Sequence, residues 1–332
     1  MTAATIQLAH PLMNEASARD ARSASSIAPP LFRFPSLTTT VPKEFVHRAA
    51  VAEVMLTDWK REDDDRFKVT AQWPRGHSFF SPIGAHHDPL LAAETIRQVG
   101  SLLAHAEFGV PFGHQFLMWD LEYAVEPDQV LIGGTPASLD IDVTCTEVKR
   151  RGNALTGLRY EAVIHRDGKP AVRGGGAFTC TTPAVYRRLR GDRCTAGARP
   201  RLPLMAPASP QSVGRMSPID VVLSPVGETN RWQLRADTRH HVLFDHPVDH
   251  VPGMVLLEAA RQAAAAALDS STMLPIGIVS EFHRYAELDT PCMIQAQHLP
   301  GTAGVEKSVL VTAHQDGDLV FTSTVKTLSP ES

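Results

Sequence analysis

The sequence has few cysteines and no cysteine pairs at metal-ligand spacing. Only four of its 332 residues are cysteine, and they lie far apart at positions 145, 180, 194 and 292. Because there is no C-x-x-C motif, the common cysteine zinc sites are excluded, and so low a count is typical of reducing compartments. We therefore expect no metal site, and nothing in the sequence indicates a cofactor.

Long apolar runs and a strong excess of charge are also missing. No stretch is long enough to span a bilayer, and the N-terminus lacks the apolar region of a signal peptide. The net charge of −4 gives no indication of a nucleic-acid partner or an anionic membrane. We expect a cytoplasmic globular protein, with no nucleic acid and no membrane among its partners.

The most unusual stretch that is present is an alanine-rich run at residues 252–269. It begins with Pro-Gly and then contains no helix breaker, which predicts a helix. Its many alanines make the helix surface smooth, so we expect a sheet to wrap around it. Glu258, Arg261 and Gln262 share one face of this apolar helix, so they need partners or a function.

The same three residue types occur earlier in the chain. Glu94, Arg97 and Gln98 each lie 164 residues before their counterparts Glu258, Arg261 and Gln262. Upstream, the same offset relates His77, Phe80 and His86 to His241, Phe244 and His250. Self-similarity at a fixed, domain-sized offset predicts a duplicated unit, with one long helix at the centre of each copy.

Both copies predict strands, an irregular loop, the long helix and then a run of strands. Turn sequences at 166–169 and 315–318 mark a closing hairpin in each copy. One helix against an antiparallel sheet is an α+β arrangement. The glycines at 174–176 predict a strand bulge rather than a phosphate loop, because no helix with a Lys-Ser/Thr pair follows them.

We predict four segments along the chain. They are a mobile N-terminal leader at 1–40, a first unit at 41–183, an Arg- and Pro-rich linker at 184–212, and a second unit at 213–330. The arginines between residues 187 and 215 outnumber the acids there, and we expect them to be solvated.

The segments around both predicted helices resemble the A-factor biosynthesis hotdog family, the γ-butyrolactone signal synthases of actinomycetes. The resemblance rests on the stretches Val41 to His47, Trp73 to His77, His87 to Leu91 and Phe244 to Gly253. It implies a double hotdog, in which a curved antiparallel sheet wraps each long helix. The two units would pack side by side as an internal pseudo-dimer. The entry to the second helix also resembles that of hotdog hydroxyacyl-ACP dehydratases.

The family resemblance further implies an acyltransferase. Such an enzyme condenses a β-ketoacyl group, carried by acyl carrier protein, with the hydroxyl of dihydroxyacetone phosphate. The resulting ester leads to a γ-butyrolactone-type or furan-type signalling molecule. Acyl carrier protein and dihydroxyacetone phosphate are then the expected partners, and further homo-oligomerisation is left open.

We expect acyl chemistry at the helix entries. Free N–H groups at a helix N-terminus stabilise a thioester oxygen that gains negative charge, and Gly253 leaves room for it. Glu258, or Glu94 from the other unit, is the predicted general base. Arg261 is its predicted catalytic companion, which orients the carboxylate or binds the acceptor phosphate. The predicted substrate-binding residues are Gly253, Gln262, Arg97, Gln98, His250 and His246.

Several alternatives stay open from the residues alone. Glu and Arg three residues apart also form plain ion pairs at a helix seam. A hotdog dehydratase or thioesterase would act on acyl carrier protein substrates without an acceptor. A non-catalytic acyl- or lactone-binding regulator would bind without turnover, although the sequence contains no DNA-reading motif. The histidines before the helices are not fixed at zinc-ligand spacing.

Overall fold

Two long helices and twelve strands dominate the computed structural model, which describes residues 38–194, 201–300 and 306–328. The predicted leader therefore lies almost entirely outside the described residues. From Thr39 onward the chain forms one compact unit. Within the described ranges, no helix is both long enough and apolar enough to cross a membrane.

The first copy begins with two short 3-10 helices, Lys43–Val46 and Val51–Glu53. The elements that follow are β1 (Leu56–Arg61), β2 (Arg66–Trp73), α1 (Leu90–Ala106), β3 (Gln115–Val125), a 3-10 turn (Pro127–Gln129), β4 (Ala137–Arg151), β5 (Ala154–Arg166) and β6 (Lys169–Thr181). The first long helix is thus slightly shorter than the predicted one, because Gly109, with φ of 68°, turns the chain soon after Ala106.

A short helix, α2 (Pro183–Arg190), joins the copies and continues into a 3-10 turn, Gly191–Cys194. The second copy again starts with two 3-10 helices, Pro210–Val213 and Pro218–Asp220. Its remaining elements are β7 (Leu223–Pro225), β8 (Arg231–Leu234), α3 (Gly253–Ala267), β9 (Leu274–Phe282), β10 (Met293–Leu299), β11 (Glu306–Gln315) and β12 (Asp318–Leu328).

All twelve strands form one antiparallel sheet, and its strand order mirrors about the centre. The order is β1-β2-β4-β5-β6-β3 in the first copy and β9-β12-β11-β10-β8-β7 in the second. At the centre β3 pairs with β9, from Asp120 opposite Glu281 to Ala124 opposite Gly277. The two copies are therefore joined by backbone hydrogen bonds as well as by the chain.

Each long helix packs against strands of its own copy, α1 against β3, β5 and β6 and α3 against β10, β11 and β12. Five of the seven alanines of α3 are buried there, and the last two are partly buried, which allows the sheet to approach the helix closely. This arrangement confirms the predicted α+β double hotdog with an internal pseudo-dimer.

The glycines at 174–176 do not form the predicted bulge. Gly174, Gly175 and Gly176 pair in unbroken register with β3 on one side and β5 on the other. A Cβ at Gly174 would lie 2.3 Å from the carbonyl oxygen of Glu122 and 2.6 Å from Ile96 on α1. The glycines are needed because neighbouring strands and the helix come too close for a side chain.

The predicted equivalence of His77 and His241 is also wrong by one residue. Nδ1 of His77 accepts the N–H groups of Phe79 and Phe80 at 3.1 and 3.2 Å. It is His240 whose Nδ1 accepts the N–H groups two and three residues further on, at 3.2 and 3.1 Å. The offset between copies is therefore 163 in this loop and returns to 164 at the helices.

Two arginines near the linker are not solvated as predicted. Arg190 at the end of α2 and Arg215 are both buried. Arg190 binds both carboxylate oxygens of Glu287, at 2.5 and 2.8 Å, so its charge is paired inside the protein. The segment before the second copy is thus partly built into the fold.

Substitution of Gly174 by Ala should destabilise the protein by about 2–3 kcal/mol, because the new methyl group would overlap a backbone oxygen that cannot move freely. Gly134→Ala is the matched control, since a Cβ there meets nothing within 4 Å. Urea unfolding of both variants would measure the effect. Equal stabilities would contradict the close approach of Gly174 to the neighbouring strand and helix.

Candidate active site

Glu94, on α1, lies at the centre of a buried group of polar side chains. Arg48 contacts both carboxylate oxygens, with Nε 2.9 Å from Oε1 and Nη2 2.7 Å from Oε2. Arg97 contacts the same oxygens at 2.7 and 2.9 Å. The Gln98 amide donates to Oε1 at 2.6 Å. We call these four side chains the first cluster.

Glu258, on α3, has the same surroundings. Arg215 contacts its two oxygens at 2.7 and 2.6 Å, and Arg261 contacts them at 2.7 and 2.9 Å. The Gln262 amide donates to Oε1. We call these four side chains the second cluster. The duplication thus extends from the sequence to individual hydrogen bonds.

Arg48 and Arg215 are not among the residues predicted from the sequence, although matching segments supply them. Each follows a short 3-10 helix and a residue with positive φ, 53° at His47 and 67° at Gly214. The signal is a Val-x-Arg triplet that recurs after 167 residues. A search at the helix offset of 164 does not find it.

Each of these arginines also reaches into the other copy. Nη1 of Arg48 donates to the carbonyl oxygen of Val242 at 2.9 Å. Nη1 of Arg215 donates to the carbonyl oxygen of Phe79 at 2.7 Å. The two clusters therefore fasten the copies to each other, and the contacts are reciprocal.

The arginines determine how the two carboxylates titrate. Burial alone would raise the pKa of Glu94, but Arg48, Arg97 and Gln98 outweigh it and lower the pKa to about 2. Arg215 and Arg261 lower the pKa of Glu258 to about 2 against the same effect of burial. A carboxylate that holds its proton so weakly is a poor general base at neutral pH. These contacts do not support the predicted role of Glu258 or Glu94 as the base.

The two glutamines are fully used inside the protein. Oε1 of Gln98 accepts the N–H of Met55 at 2.9 Å, and its amide donates to the carbonyl oxygen of Glu53 at 2.7 Å. Gln262 makes the equivalent bonds with Val222 and Asp220, at 3.0 and 2.7 Å. Both side chains are completely buried, so neither has a group left for the predicted contact with substrate.

The loop before α3 contains two Asp-His pairs. Nδ1 of His246 lies 2.5 Å from Oδ1 of Asp245. Nδ1 of His250 lies 2.7 Å from Oδ1 of Asp249. Because a carboxylate oxygen accepts, each Nδ1 carries a hydrogen, and each neutral imidazole presents the lone pair of Nε2 outward. This is the tautomer that a general base needs.

Asp245, the partner of His246, lies against the first cluster. Oδ2 of Asp245 accepts the N–H of Ala49 at 2.8 Å, and Oδ1 lies 3.7 Å from Nη1 of Arg48. His246 and Arg97 both act electrostatically on His47. The second copy's loop and the first copy's helix therefore meet at one place, so the candidate groups come from opposite copies.

His47 has a defined tautomer at this place. Nδ1 of His105 donates to the carbonyl oxygen of Val110 at 2.6 Å, so Nε2 of His105 accepts from Nε2 of His47 at 2.7 Å. Burial first, and then Arg97, His105 and His246, lower the pKa of His47 to about 3. His47 is therefore neutral, and its Nδ1 is a hydrogen-bond acceptor. Its ring packs on Phe116, with centroids 4.7 Å apart.

The two clusters differ in access to solvent. The Arg97 side chain is 19% exposed, whereas that of Arg261 is 2% exposed. Nη1 of Arg97 makes no hydrogen bond with any described residue, and His246 is 45% exposed. We call Arg97, His246 and His47, with the Phe116 ring, the open site.

In the part of the chain that the structure describes, the second cluster has no comparable group of accessible side chains. Gly214 stands where the first copy has His47, and the Tyr123 hydroxyl is buried without a hydrogen-bond partner in the described chain. Asp88 packs against Arg215, with Oδ2 3.4 Å from Nη1. Burial raises the pKa of Asp88.

The N-termini of the two long helices also differ in accessibility. Oδ1 of Asp88 accepts the N–H of Leu90 at 3.0 Å, so a side chain occupies the start of α1. At the start of α3, Pro252 provides no side-chain cap and Gly253 is partly exposed. The Phe282 ring would lie 3.2 Å from a Cβ at Gly253. No described residue accepts the N–H groups of Gly253 and Met254, whereas the N–H of Val255 donates to the carbonyl oxygen of Pro252 at 3.0 Å. The oxyanion site at Gly253 stays a prediction.

His250 lies in different surroundings from His246. Asp249, its partner, also accepts the Tyr186 hydroxyl at 2.7 Å and Nε of Arg190 at 3.2 Å. The Tyr285 ring packs against His250, with centroids 4.8 Å apart. His250 thus lies where α2 anchors the loop. Among the described residues, no group of three or more His, Cys, Asp or Glu side chains could hold a metal ion.

The two copies correspond to two matches with one domain of a known protein family. The A-factor biosynthesis hotdog domain matches residues 33–182 and 197–329, one match for each copy. The chain belongs to this family. The A-factor family relatives include the 2-oxo-3-(phosphooxy)propyl 3-oxoalkanoate synthase of Streptomyces virginiae, with 57% identity over 88% of this chain and 98% of the relative. A synthase of the same name from Streptomyces coelicolor is 43% identical over 93% of this chain and 95% of that protein.

Solved structures similar to this A-factor family chain include a 12:0-ACP thioesterase from Umbellularia californica. It shares 12% identity with a TM-score of 0.47, over 78% of this chain and 93% of that one.

As the pH is lowered, the free energy of unfolding should decrease in two steps. His47 and His87, whose pKa values are lowered from 6.5 to about 3 and about 4, stabilise the fold fully above pH 6.5 and less as the pH falls. Glu94 and Glu258 stabilise it above pH 4.5, and this contribution is lost as the pH falls towards 2. Each carboxylate should contribute on the order of 2–3 kcal/mol.

Urea unfolding at intervals between pH 8 and pH 3 would measure both steps. Glu258→Gln should be less stable at pH 7 and should show a shallower loss below pH 4.5. A parallel displacement of the whole curve would mean that Glu258 does not titrate as described.

Proposed function

We propose that this chain transfers a 3-oxoacyl group from a thioester to the hydroxyl of dihydroxyacetone phosphate. The name of the Streptomyces relatives describes the product of such a transfer, an ester of a 3-oxoalkanoic acid with 2-oxo-3-(phosphooxy)propanol. The observation that carries the proposal is the 57% identity to the S. virginiae synthase over 98% of that protein.

The reaction takes place, in this proposal, in the open site rather than at the second cluster. An acyl transfer to a hydroxyl needs a base, a cationic or N–H donor for developing charge, and access for two substrates. The open site has an accessible imidazole and a guanidinium nitrogen that no described residue binds, and the loop that carries the imidazole leads into α3, whose start has no side-chain cap. The second cluster has buried its ionic groups against one another.

His246 is the proposed general base. Its Nε2 accepts the hydroxyl proton while the hydroxyl oxygen attacks the thioester carbonyl carbon. The carbon–sulfur bond then breaks, and the proton passes from Nε2 to the departing thiolate. Asp245 holds the required tautomer through Nδ1, which is the role of a carboxylate behind a catalytic imidazole.

Two further groups bind the negatively charged parts of the substrates. Nη1 of Arg97 binds the phosphate of the acceptor, since guanidinium is a strong phosphate donor. The N–H groups at Gly253 stabilise the oxygen of the tetrahedral intermediate. Glu94 holds Arg97 in place and does not exchange protons. Glu258, Arg261 and Gln262 secure the seam between copies.

We further propose that acyl carrier protein delivers the acyl group. A thioester supplies both an activated carbonyl and a thiol leaving group, and a carrier-bound chain reaches a site between two packed copies through its flexible arm. The ester would be the first intermediate towards a γ-butyrolactone-type or furan-type signalling molecule.

His246→Asn should lower kcat for acyl transfer by about 10²- to 10⁴-fold, because Asn cannot accept the hydroxyl proton. Mass spectrometry of the phosphorylated ester, formed from 3-oxoacyl carrier protein and dihydroxyacetone phosphate, would measure it. His283→Asn, at a surface histidine after β9, is the control.

If the wild-type protein releases thiol equally fast without acceptor, hydrolysis replaces transfer as its activity. Activity with a 3-oxoacyl-CoA but not with the carrier protein would contradict the proposed donor.

Arg97→Met should weaken the preference for dihydroxyacetone phosphate over dihydroxyacetone by about 10- to 100-fold, since one charged hydrogen bond to phosphate is lost. Competition between the two acceptors, followed by mass spectrometry, would give this ratio. Arg261→Met removes the matching arginine of the second cluster and should leave the ratio unchanged. The same change of ratio in both variants would argue against phosphate binding at the open site.

A further inference from the structure

Arg48 connects the helix of one copy to the histidine loop of the other. Its side chain is 7% exposed. Nε and Nη2 bind Glu94 of α1, while Nη1 donates to the carbonyl oxygen of Val242 in the second copy. The same Nη1 lies 3.7 Å from Oδ1 of Asp245. One guanidinium therefore contacts both walls of the open site.

The residue after Arg48 strengthens this connection. The N–H of Ala49 donates to Oδ2 of Asp245 at 2.8 Å. Oδ1 of Asp245 is shared by Nδ1 of His246 and by the charge of Arg48. Burial raises the pKa of Asp245, but these partners together lower it, so the carboxylate stays ionised. A continuous path of contacts thus runs from Glu94 through Arg48 and Asp245 to His246.

Arg215 provides an internal comparison. It binds Glu258 with the same two nitrogens and donates to the carbonyl oxygen of Phe79, as Arg48 does with Val242. Its Nη1 also lies near a carboxylate of the other copy, Oδ2 of Asp88, at 3.4 Å. Asp88, however, holds the N–H of Leu90. Arg48 thus lies beside an aspartate that binds His246, whereas Arg215 lies beside an aspartate that caps α1.

We infer that Arg48 is a positioning residue for the reaction, because it sets the Asp245–His246 pair against Arg97. This inference rests on the proposed function for its link to catalysis. Arg215 has an equal share in holding the copies together but positions no group of the open site. The two arginines should therefore have similar effects on stability and different effects on the state of His246.

Arg48→Lys and Arg215→Lys form a matched pair of variants. Lysine keeps the charge but lacks the planar fork that binds two groups at fixed geometry. We expect similar decreases in Tm for both. For Arg48→Lys we expect kcat for transfer to fall at least 20-fold with KM for the acceptor changed less than 3-fold. For Arg215→Lys we expect kcat within 3-fold of the wild type.

Nitrogen-15 spectra of labelled histidines would read the positioning directly. In the wild type, neutral His246 should be the Nδ1–H tautomer, with its signals assigned through their loss in His246→Asn. Arg48→Lys should convert this to a mixture of tautomers, and Arg215→Lys should leave it unchanged. If Arg48→Lys does not fold, Arg48→Gln removes the charge beside Asp245 while the carboxylate next to His246 is kept, and the same mixture is expected.

An unchanged His246 tautomer in Arg48→Lys, or equal losses of kcat in both lysine variants, would overturn the inference. Absence of transfer by the wild-type protein would instead overturn the proposed function, and the histidine spectra would still decide whether Arg48 positions His246.

Discussion

The architecture depends on two buried carboxylates, each held between two guanidinium groups. An isolated ionised carboxylate in a protein core is strongly destabilising, so Glu94 and Glu258 require their partners in place. In each cluster one arginine comes from the same helix and the other from a segment that also contacts the opposite copy. Ion pairing therefore requires the helix and the preceding segment of one copy, and the remaining donor of that segment's arginine is satisfied only by a carbonyl oxygen of the other copy.

Both copies pair their buried carboxylate with two arginines, but the residues around the two clusters differ. At the first cluster the neighbouring carboxylate belongs to Asp245 and holds an exposed histidine. At the second, it belongs to Asp88 and caps a helix. One end of the seam thus retains accessible acid–base groups, while the other has become part of the core. Both clusters have the same ion-pair geometry, and the difference in accessibility comes from a few residues around it.

The duplication, the two long helices and the hairpins follow from the sequence because local patterns determine them, such as Glu-x-x-Arg-Gln on a helix face or Asp-Gly in a turn. Arg48 and Arg215 could not be found in that way. Their contacts span 46 and 43 residues and recur at a different offset from the helices. Without them Glu258 looks like a free base, whereas two guanidiniums lower its pKa. The equivalence of His77 and His240 could not be found either, because the offset between the copies is 163 in this loop and 164 at the helices.

The central pairing of β3 with β9 places within one chain an interface that could equally join two identical subunits. In a symmetric homodimer every substitution appears twice, so a histidine at one site would stand at both. Covalent linkage removes that restriction. The position after the first 3-10 helix can be His47 in one copy and Gly214 in the other. Each copy has thus been free to change separately, one towards accessible side chains and the other towards packing.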